Sequence, residues 1–233
     1  MKFNQLKNWI ATAVLGLAFS MSHAEIVEGK DYTVLPQPIP QEDTKKIEVM
    51  EFFAYSCSHC YHLEEGLMKE VKAFPEDVYY RPEHVVWDPS MVPLARIAAA
   101  AKVSNTVVQA NHAVFELIFV EKDREKVEKI VVSPEAFKAW ANQQGAWGKN
   151  LAKAYDDKKT EQLLQRMQQM TLKYKIDSTP SIIIGGKYRL NDARNFNAMK
   201  ELIEKVRQEK TSKPAKPFAK QHTGANLAAA ANH

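Results

Sequence analysis

Cysteine is scarce. Cys57 and Cys60 are the only two in 233 residues. Two cysteines cannot build a disulfide-rich scaffold, and four-cysteine zinc or iron–sulfur sites are excluded. Acidic residues are missing from both ends, from residues 1–24 and again after Glu209. Lys2, Lys7, Lys210, Lys213, Lys216 and Lys220 lie in those acid-free ends, so taking these six charges from the net +4 leaves residues 25–209 at −2. The basic isoelectric point near 8.9 therefore belongs to the ends, and a nucleic-acid-binding face on the body is not expected. After residue 24 no segment approaches the run of about 20 apolar residues needed to span a bilayer. No internal repeat is present. The remainder, 45% hydrophobic and 26% charged, is of ordinary globular composition, which excludes wholesale disorder and a collagen-like fibre. The length allows a sizeable core.

The first 24 residues read as a secretory signal peptide. Two lysines precede an apolar run from Trp9 to Phe19, and Ser22-His23-Ala24 supplies small residues at a cleavage site, so a cut after Ala24 is expected. The mature protein is then exported, to a compartment where disulfides persist.

Three prolines mark the entry, Pro36, Pro38 and Pro40, with Tyr32 to Leu35 a possible edge strand. Ile47 to Tyr55 is apolar on both parities, as a strand covered on both faces requires. Cys57 to about Ala73 reads as a helix, closed by Pro75. Val78 to Trp87 reads as a second buried strand, interrupted by Pro82. A long helical stretch follows. Helices are expected over Met91 to Lys102, from a cap at Ser104 to Val120, from Ser133-Pro134-Glu135 to a stop at Gly145, and over Lys158 to Tyr174. Ser181 to Ile184, Gly185-Gly186 and Lys187 to Leu190 then form a hairpin. A last helix covers Asn195 to Gln208, and residues 210–233 read as a disordered basic tail. The fold class is α/β, one such domain interrupted by a helical insertion.

The strongest chemical signal is Cys57-Ser58-His59-Cys60, where a buried strand turns into a helix. A sulfur at the helix start meets unpaired N–H groups and the positive end of the macrodipole. Protonated His59 would add positive charge. Both favour the thiolate of Cys57. Cys60, one turn on and shielded, would be the resolving sulfur. A stabilised Cys57 thiolate is a good leaving group, and stabilising the reduced form makes the disulfide a stronger oxidant. Two other readings compete. A structural disulfide would close a very short loop and contribute little. A metal site from Cys57, Cys60, His59 and His62 would need a further ligand such as His84 or His112, and no second cysteine pair exists. The motif alone also leaves the direction of exchange open, so a cytosolic-type reductase is a third possibility. The second signal is Ser178-Thr179-Pro180-Ser181 before the returning strand. Pro180 is either a tolerated strand start or a cis-proline turn leaving the Thr179 backbone free to pair with an extended peptide.

Taken together, Glu51-Phe52-Phe53, Cys57-Ser58-His59-Cys60-Tyr61 with its helix, His84-Val85, the helical stretch and Thr179-Pro180 resemble the DsbA family of exported thiol:disulfide oxidoreductases in the thioredoxin-like superfamily. The match covers most of residues 25–209. It implies a thioredoxin-like domain formed by residues 25–88 and 176–209, with an inserted helical domain at 89–175. It also implies a catalytic pair Cys57 and Cys60 tuned by His59, a cis Pro180 with Thr179 contacting the peptide, and Glu51 as a buried acid beneath the site that helps proton transfer at Cys60. Substrates would be reduced exported proteins in the periplasm. A membrane quinone-linked oxidase of the DsbB type would restore the disulfide. No metal or organic cofactor is implied, and a monomer is expected. Two departures stand out. Ser58 replaces the proline common between the cysteines. The next strand carries Arg81-Pro82-Glu83 where the family often places a lysine, so Arg81 becomes the expected partner of Glu51. The alternatives are a disulfide isomerase or reductase of the same fold and a peptide-binding chaperone with a structural disulfide. An isomerase would need an N-terminal dimerisation domain, for which about 20 residues leave no room.

Overall fold

Seven consecutive residues of β2 (Ile47–Phe53) are all buried, and this decides the architecture. A strand without a polar face must be covered on both sides. In the computed structural model, which describes residues 26–212, β2 lies inside a five-stranded sheet. It runs parallel to β3 (Val78–His84) and antiparallel to β4 (Ser181–Ile184). β5 (Tyr188–Leu190) and β1 (Tyr32–Val34) complete the order β1-β5-β4-β2-β3. Helix α1 (Ser58–Lys72) connects β2 to β3. The expected edge strand is thus present at one end of the sheet. At the other end β3 runs unbroken through Pro82, because an edge strand tolerates a residue without an N–H.

Strand alternation sorts the side chains of β2 between two environments. Val49 joins Leu63 and Leu67 of α1 and Met199 and Leu202 of α8 (Phe196–Ser212). Met50 and Phe52 face the other way, towards Ile183 and Met170. Met170 belongs to α7 (Lys158–Lys173), the last of six helices between β3 and β4. The others are α2 (Val92–Val103), α3 (Val107–Phe119), α4 (Arg124–Val132), α5 (Pro134–Asn142) and α6 (Ala146–Ala154).

Four of these six match expected segments. Helices α4 and α6 were not expected: nine residues give a short periodic signal, and unlike the equally long α5 neither opens on a Ser-Pro-Glu start. Gly145 does not end α5, which stops at Asn142. It is the N-cap of α6 and takes φ of 82°. Ser104 does not cap α3 either. Its hydroxyl donates to the Ala100 carbonyl at 2.7 Å and closes α2. Ser133 caps α5 as expected, accepting from the Ala136 N–H at 3.2 Å. The hairpin turns at Gly185-Gly186, both at positive φ. A Cβ on Gly186 would lie 2.0 Å from the Ile39 carbonyl oxygen, so only glycine fits.

At the C-terminus the expected tail begins too early. Helix α8 continues through residues 210–212, and Lys210 donates to the Thr44 carbonyl at 3.0 Å. The rest of the tail and the expected cut after Ala24 lie outside the described residues. Among the described residues no helix is long and apolar enough to cross a membrane.

A buried ionic cluster ties the sheet to the helical block. The Arg81 guanidinium, 2% exposed, donates through Nε to Glu83 at 2.6 Å and through Nη1 to both oxygens of Glu48 at 3.2 Å. Lys102 of α2 reaches Glu83 at 3.0 Å, and Arg166 of α7 reaches Glu42 at 2.7 Å. Removing one partner from such a cluster strands the others in low dielectric. Arg81→Met is therefore expected to cost about 3–5 kcal/mol of unfolding free energy, read from urea denaturation. A loss below about 1 kcal/mol, the range of surface pairs, would show that water reaches the cluster.

Candidate active site

The chain leaves β2 at Phe53 and turns through Ala54 to Ser56. Cys57 becomes the N-cap of α1, with φ −89° and ψ 113°. An N-cap side chain accepts from a helix N–H that lacks an intrahelical partner. Here the acceptor is sulfur: the Cys60 N–H donates to Cys57 Sγ at 3.3 Å. Both thiols are free. Cys57 is half-buried, and Cys60 is 1% exposed.

These contacts split the two sulfurs. The Cys57 thiol is lowered to about 5, first by the hydrogen bond from the Cys60 thiol, which outweighs the cost of its part burial. Thr179 and the backbone N–H groups of Cys60 and His59 add to the lowering. Cys60 is pushed far upward by the same shared bond, by burial and by the nearby Glu51. One proton serves the pair, and Cys60 keeps it. The contribution of His59 in this geometry comes from its backbone. Its ring is exposed and lines an open groove with His62, Thr179, Pro180, Asn191 and Arg194. Ser58 is exposed in the first turn of α1.

The Thr179–Pro180 peptide is cis, and Cys57 Sγ lies 3.5 Å from the Thr179 carbonyl oxygen. The two motifs, more than a hundred residues apart in the chain, thus share one site. Sequence reasoning missed what braces this turn. Arg189 of β5 donates to Ser178 Oγ at 2.6 Å and Ser181 Oγ at 3.2 Å and pairs with Asp177 at 3.3 Å. A lone arginine on a three-residue strand carries no spacing signal. Only its register opposite Ile183 brings it there.

Beneath the cysteines lies Glu51, 5% exposed. Its partner is not Arg81. Arg81 stands opposite Met50 in the register and so shares the other face of the sheet with Glu48 and Glu83. The Tyr80 hydroxyl donates to Glu51 instead. Burial pushes the Glu51 carboxyl up to about 7, against the lowering from Tyr80, and the negative charges of Glu64 and Cys57 raise it further. His84, weighed above as a metal ligand, has both nitrogens committed. Nε2 accepts from the Tyr55 N–H at 3.1 Å, and Nδ1 donates to the Val85 carbonyl at 2.7 Å. The site is also fastened to the helical block. The Tyr55 hydroxyl donates to Asn111 at 2.7 Å, and the Tyr61 ring stacks on Phe119 at 5.0 Å.

A family model described as thioredoxin matches residues 41–205. The oxidoreductase NmDsbA3 from Neisseria meningitidis is 45% identical, covering 80% of this chain and 100% of its own, with a TM-score of 0.68. Reduced DsbA1 from the same organism is 39% identical over 82% of this chain and 100% of its own, with a TM-score of 0.75. The chain belongs to the DsbA family. More distant members include the thiol:disulfide interchange protein DsbA of Bordetella pertussis, 27% identical over 77% of this chain and 83% of that protein. As a DsbA-family member the chain is a thiol:disulfide oxidoreductase. Its fold is the thioredoxin-like α/β fold with a helical insertion. The Cys57–Cys60 pair supplies the two sulfurs such chemistry needs.

Two titrations check the site. Thiolate absorbance of the reduced protein should show one sulfur ionising near pH 5, absent in Cys57→Ser and shifted upward in Cys60→Ala, which lacks the donating thiol. A midpoint between 8 and 9, the ordinary range for a thiol, would remove the proposed stabilisation. The second concerns His84, held by burial at about 4 against an ordinary 6.5. Between those values the unfolded chain binds the proton and the folded one does not, so stability rises with pH across that window. The stability difference between the protein and His84→Gln should climb from about pH 4 to 6.5 and flatten above. A flat difference throughout would mean that the folded imidazole titrates normally.

Proposed function

We propose that this protein is the oxidant in disulfide formation on exported proteins, acting in the periplasm after removal of residues 1–24. The observation that carries the reading is the Cys57 sulfur as the N-cap of α1, its charge favoured by the Cys60 thiol and facing the Thr179–Pro180 turn. A substrate thiolate attacks Cys57 Sγ, the Cys57–Cys60 bond breaks, and its electron pair goes to Cys60. The mixed disulfide is resolved when a second substrate thiolate attacks the substrate sulfur. A substrate disulfide forms, and Cys57 leaves as a stabilised thiolate. The two electrons then pass to a membrane quinone-linked oxidase of the DsbB type, which restores the Cys57–Cys60 bond.

Thr179 and Pro180 would present backbone to an extended substrate segment, in the manner of an added strand. His59 and Ser58 would flank the entering thiol. Residues 25–88 and 176–209 would act as the redox unit, with 89–175 as an inserted domain whose α3 steadies α1 through Tyr61 and Phe119.

The cycle is tested by equilibrium with glutathione. A couple clearly more oxidising than that of thioredoxin, at about −270 mV, is expected, and Cys57→Ser should abolish oxidation of reduced peptides. A potential near the thioredoxin value would instead make the protein a reductase. The pH dependence has a definite sign. Cys57 is depressed in the folded reduced protein, so its stabilisation is fully present above the ordinary thiol range and is lost as pH falls to about 5. The stability of the reduced protein relative to the oxidised one should therefore grow as pH rises from about 5 towards 9.

A further inference from the structure

The exchange cycle uses Cys57, Cys60 and the cis-proline turn, and the family resemblance adds Glu51 as the acid that helps proton transfer at Cys60; Tyr80, which donates to Glu51, is left without a task. Across the parallel β2–β3 ladder, Val49 stands opposite Tyr80 and Glu51 opposite Pro82. The residue directly across from Glu51 therefore offers no functional group. Tyr80, its diagonal neighbour on the same face, lies within reach, and its hydroxyl donates to Glu51 Oε2. The titratable groups facing Glu51 are Tyr80 from β3, Cys57, Cys60 and Glu64 from α1, and Tyr55 from the turn between β2 and α1. None is a cation. The nearest arginine in sequence, Arg81, is held on the opposite face by Glu48 and Glu83.

When the Cys57–Cys60 bond breaks, the electron pair lands on a sulfur that is 1% exposed. A bare thiolate there is costly in low dielectric. Glu51 in its acid form can neutralise it. The carboxylic acid becomes a carboxylate, the Cys60 thiolate becomes a thiol, and no further reactant is needed. On reoxidation the proton returns to Glu51 as Cys60 becomes the attacking sulfur.

We propose that Tyr80 is the positioning residue for this proton exchange: its phenol, standing where a cation would otherwise be required, holds the Glu51 carboxyl beneath Cys60 and stabilises the carboxylate without keeping it permanently ionised. A lysine in that place would hold the acid charged at neutral pH and unable to donate. A neutral donor leaves it near the midpoint of its titration, in agreement with the rise of Glu51 to about 7. The proposal rests on the assignment of Cys57 as the attacked sulfur and Cys60 as the leaving one.

The test uses three variants of the whole protein. Tyr80→Phe keeps the ring and removes the donor. The Glu51 carboxyl of the reduced protein, followed by its infrared stretch across pH, should then titrate about one pH unit higher, as loss of a charge-assisted hydrogen bond requires. Pro82→Lys places an ammonium directly across from Glu51 and should move the same titration down. The pH profile for reduction of the disulfide by a small dithiol should follow both shifts. With Gln at position 51, Tyr80→Phe should move that profile no further. An unmoved carboxyl in Tyr80→Phe overturns the proposal, as does an equal profile shift in the Glu51→Gln background. If Glu51→Gln leaves the profile unchanged while Cys57→Ser abolishes exchange, the proton-donor role falls and the sulfur assignment stands. Exchange surviving in Cys57→Ser would overturn that assignment instead.

Discussion

One unequal division governs this protein: of two neighbouring sulfurs, one sits where negative charge is stabilised and the other where it is not. The Cys57 thiol, whose sulfur accepts from the Cys60 N–H, is lowered to about 5, and that of Cys60 is pushed far upward, so a charge unfavourable on a free cysteine at neutral pH rests on Cys57. The split depends on where each sulfur sits. Cys57 caps α1 and meets the first N–H groups of the helix, while Cys60 is one turn further and shut away from water. Give both sulfurs the same environment and the two residues would make an ordinary dithiol.

That placement depends in turn on a strand buried on both faces. Because β2 has no solvent side, its termination delivers the following turn to the edge of a closed core. α1 then starts against a sheet on one side and α3 on another. The contacts of Tyr55 with Asn111 and of Tyr61 with Phe119 fasten this start to the helical block. The block therefore has a physical part in fixing the position of Cys57. Arg189 does the corresponding work for the Thr179–Pro180 turn that faces it.

The sheet also keeps two buried polar systems apart. On one face Arg81 is held by Glu48 and Glu83, and with Lys102, Arg166 and Glu42 they make a charge-balanced cluster that joins sheet to helices. On the other face Glu51 meets only neutral or acidic neighbours and is left free to titrate. The separation follows from a period of two along β2 and β3. Adjacent residues such as Tyr80 and Arg81 thus act in unrelated environments, and a guess based on closeness in sequence put Arg81 on the wrong side.

Much was legible before any coordinates. A C-x-x-C pair at a strand-to-helix junction, a proline before the returning strand and an apolar run on both parities are local patterns, and local patterns carry their physics in spacing. Cys57, Cys60, Thr179 and Pro180 could therefore be singled out from local signals, and the fold brings them together. The short helices α4 and α6 escaped, because nine residues hold only about two and a half turns and neither opens on a start signal like the Ser-Pro-Glu of α5. The cap at Ser104 was misplaced, because a hydroxyl closing one helix and opening the next looks the same in one dimension. The sequence by itself determined which sulfurs exist and that one of them would begin a helix. Only the tertiary structure decided which groups face Glu51 and how the proton is divided between the sulfurs. Register and burial arise from packing across the whole chain, and neither is written in any single stretch of it.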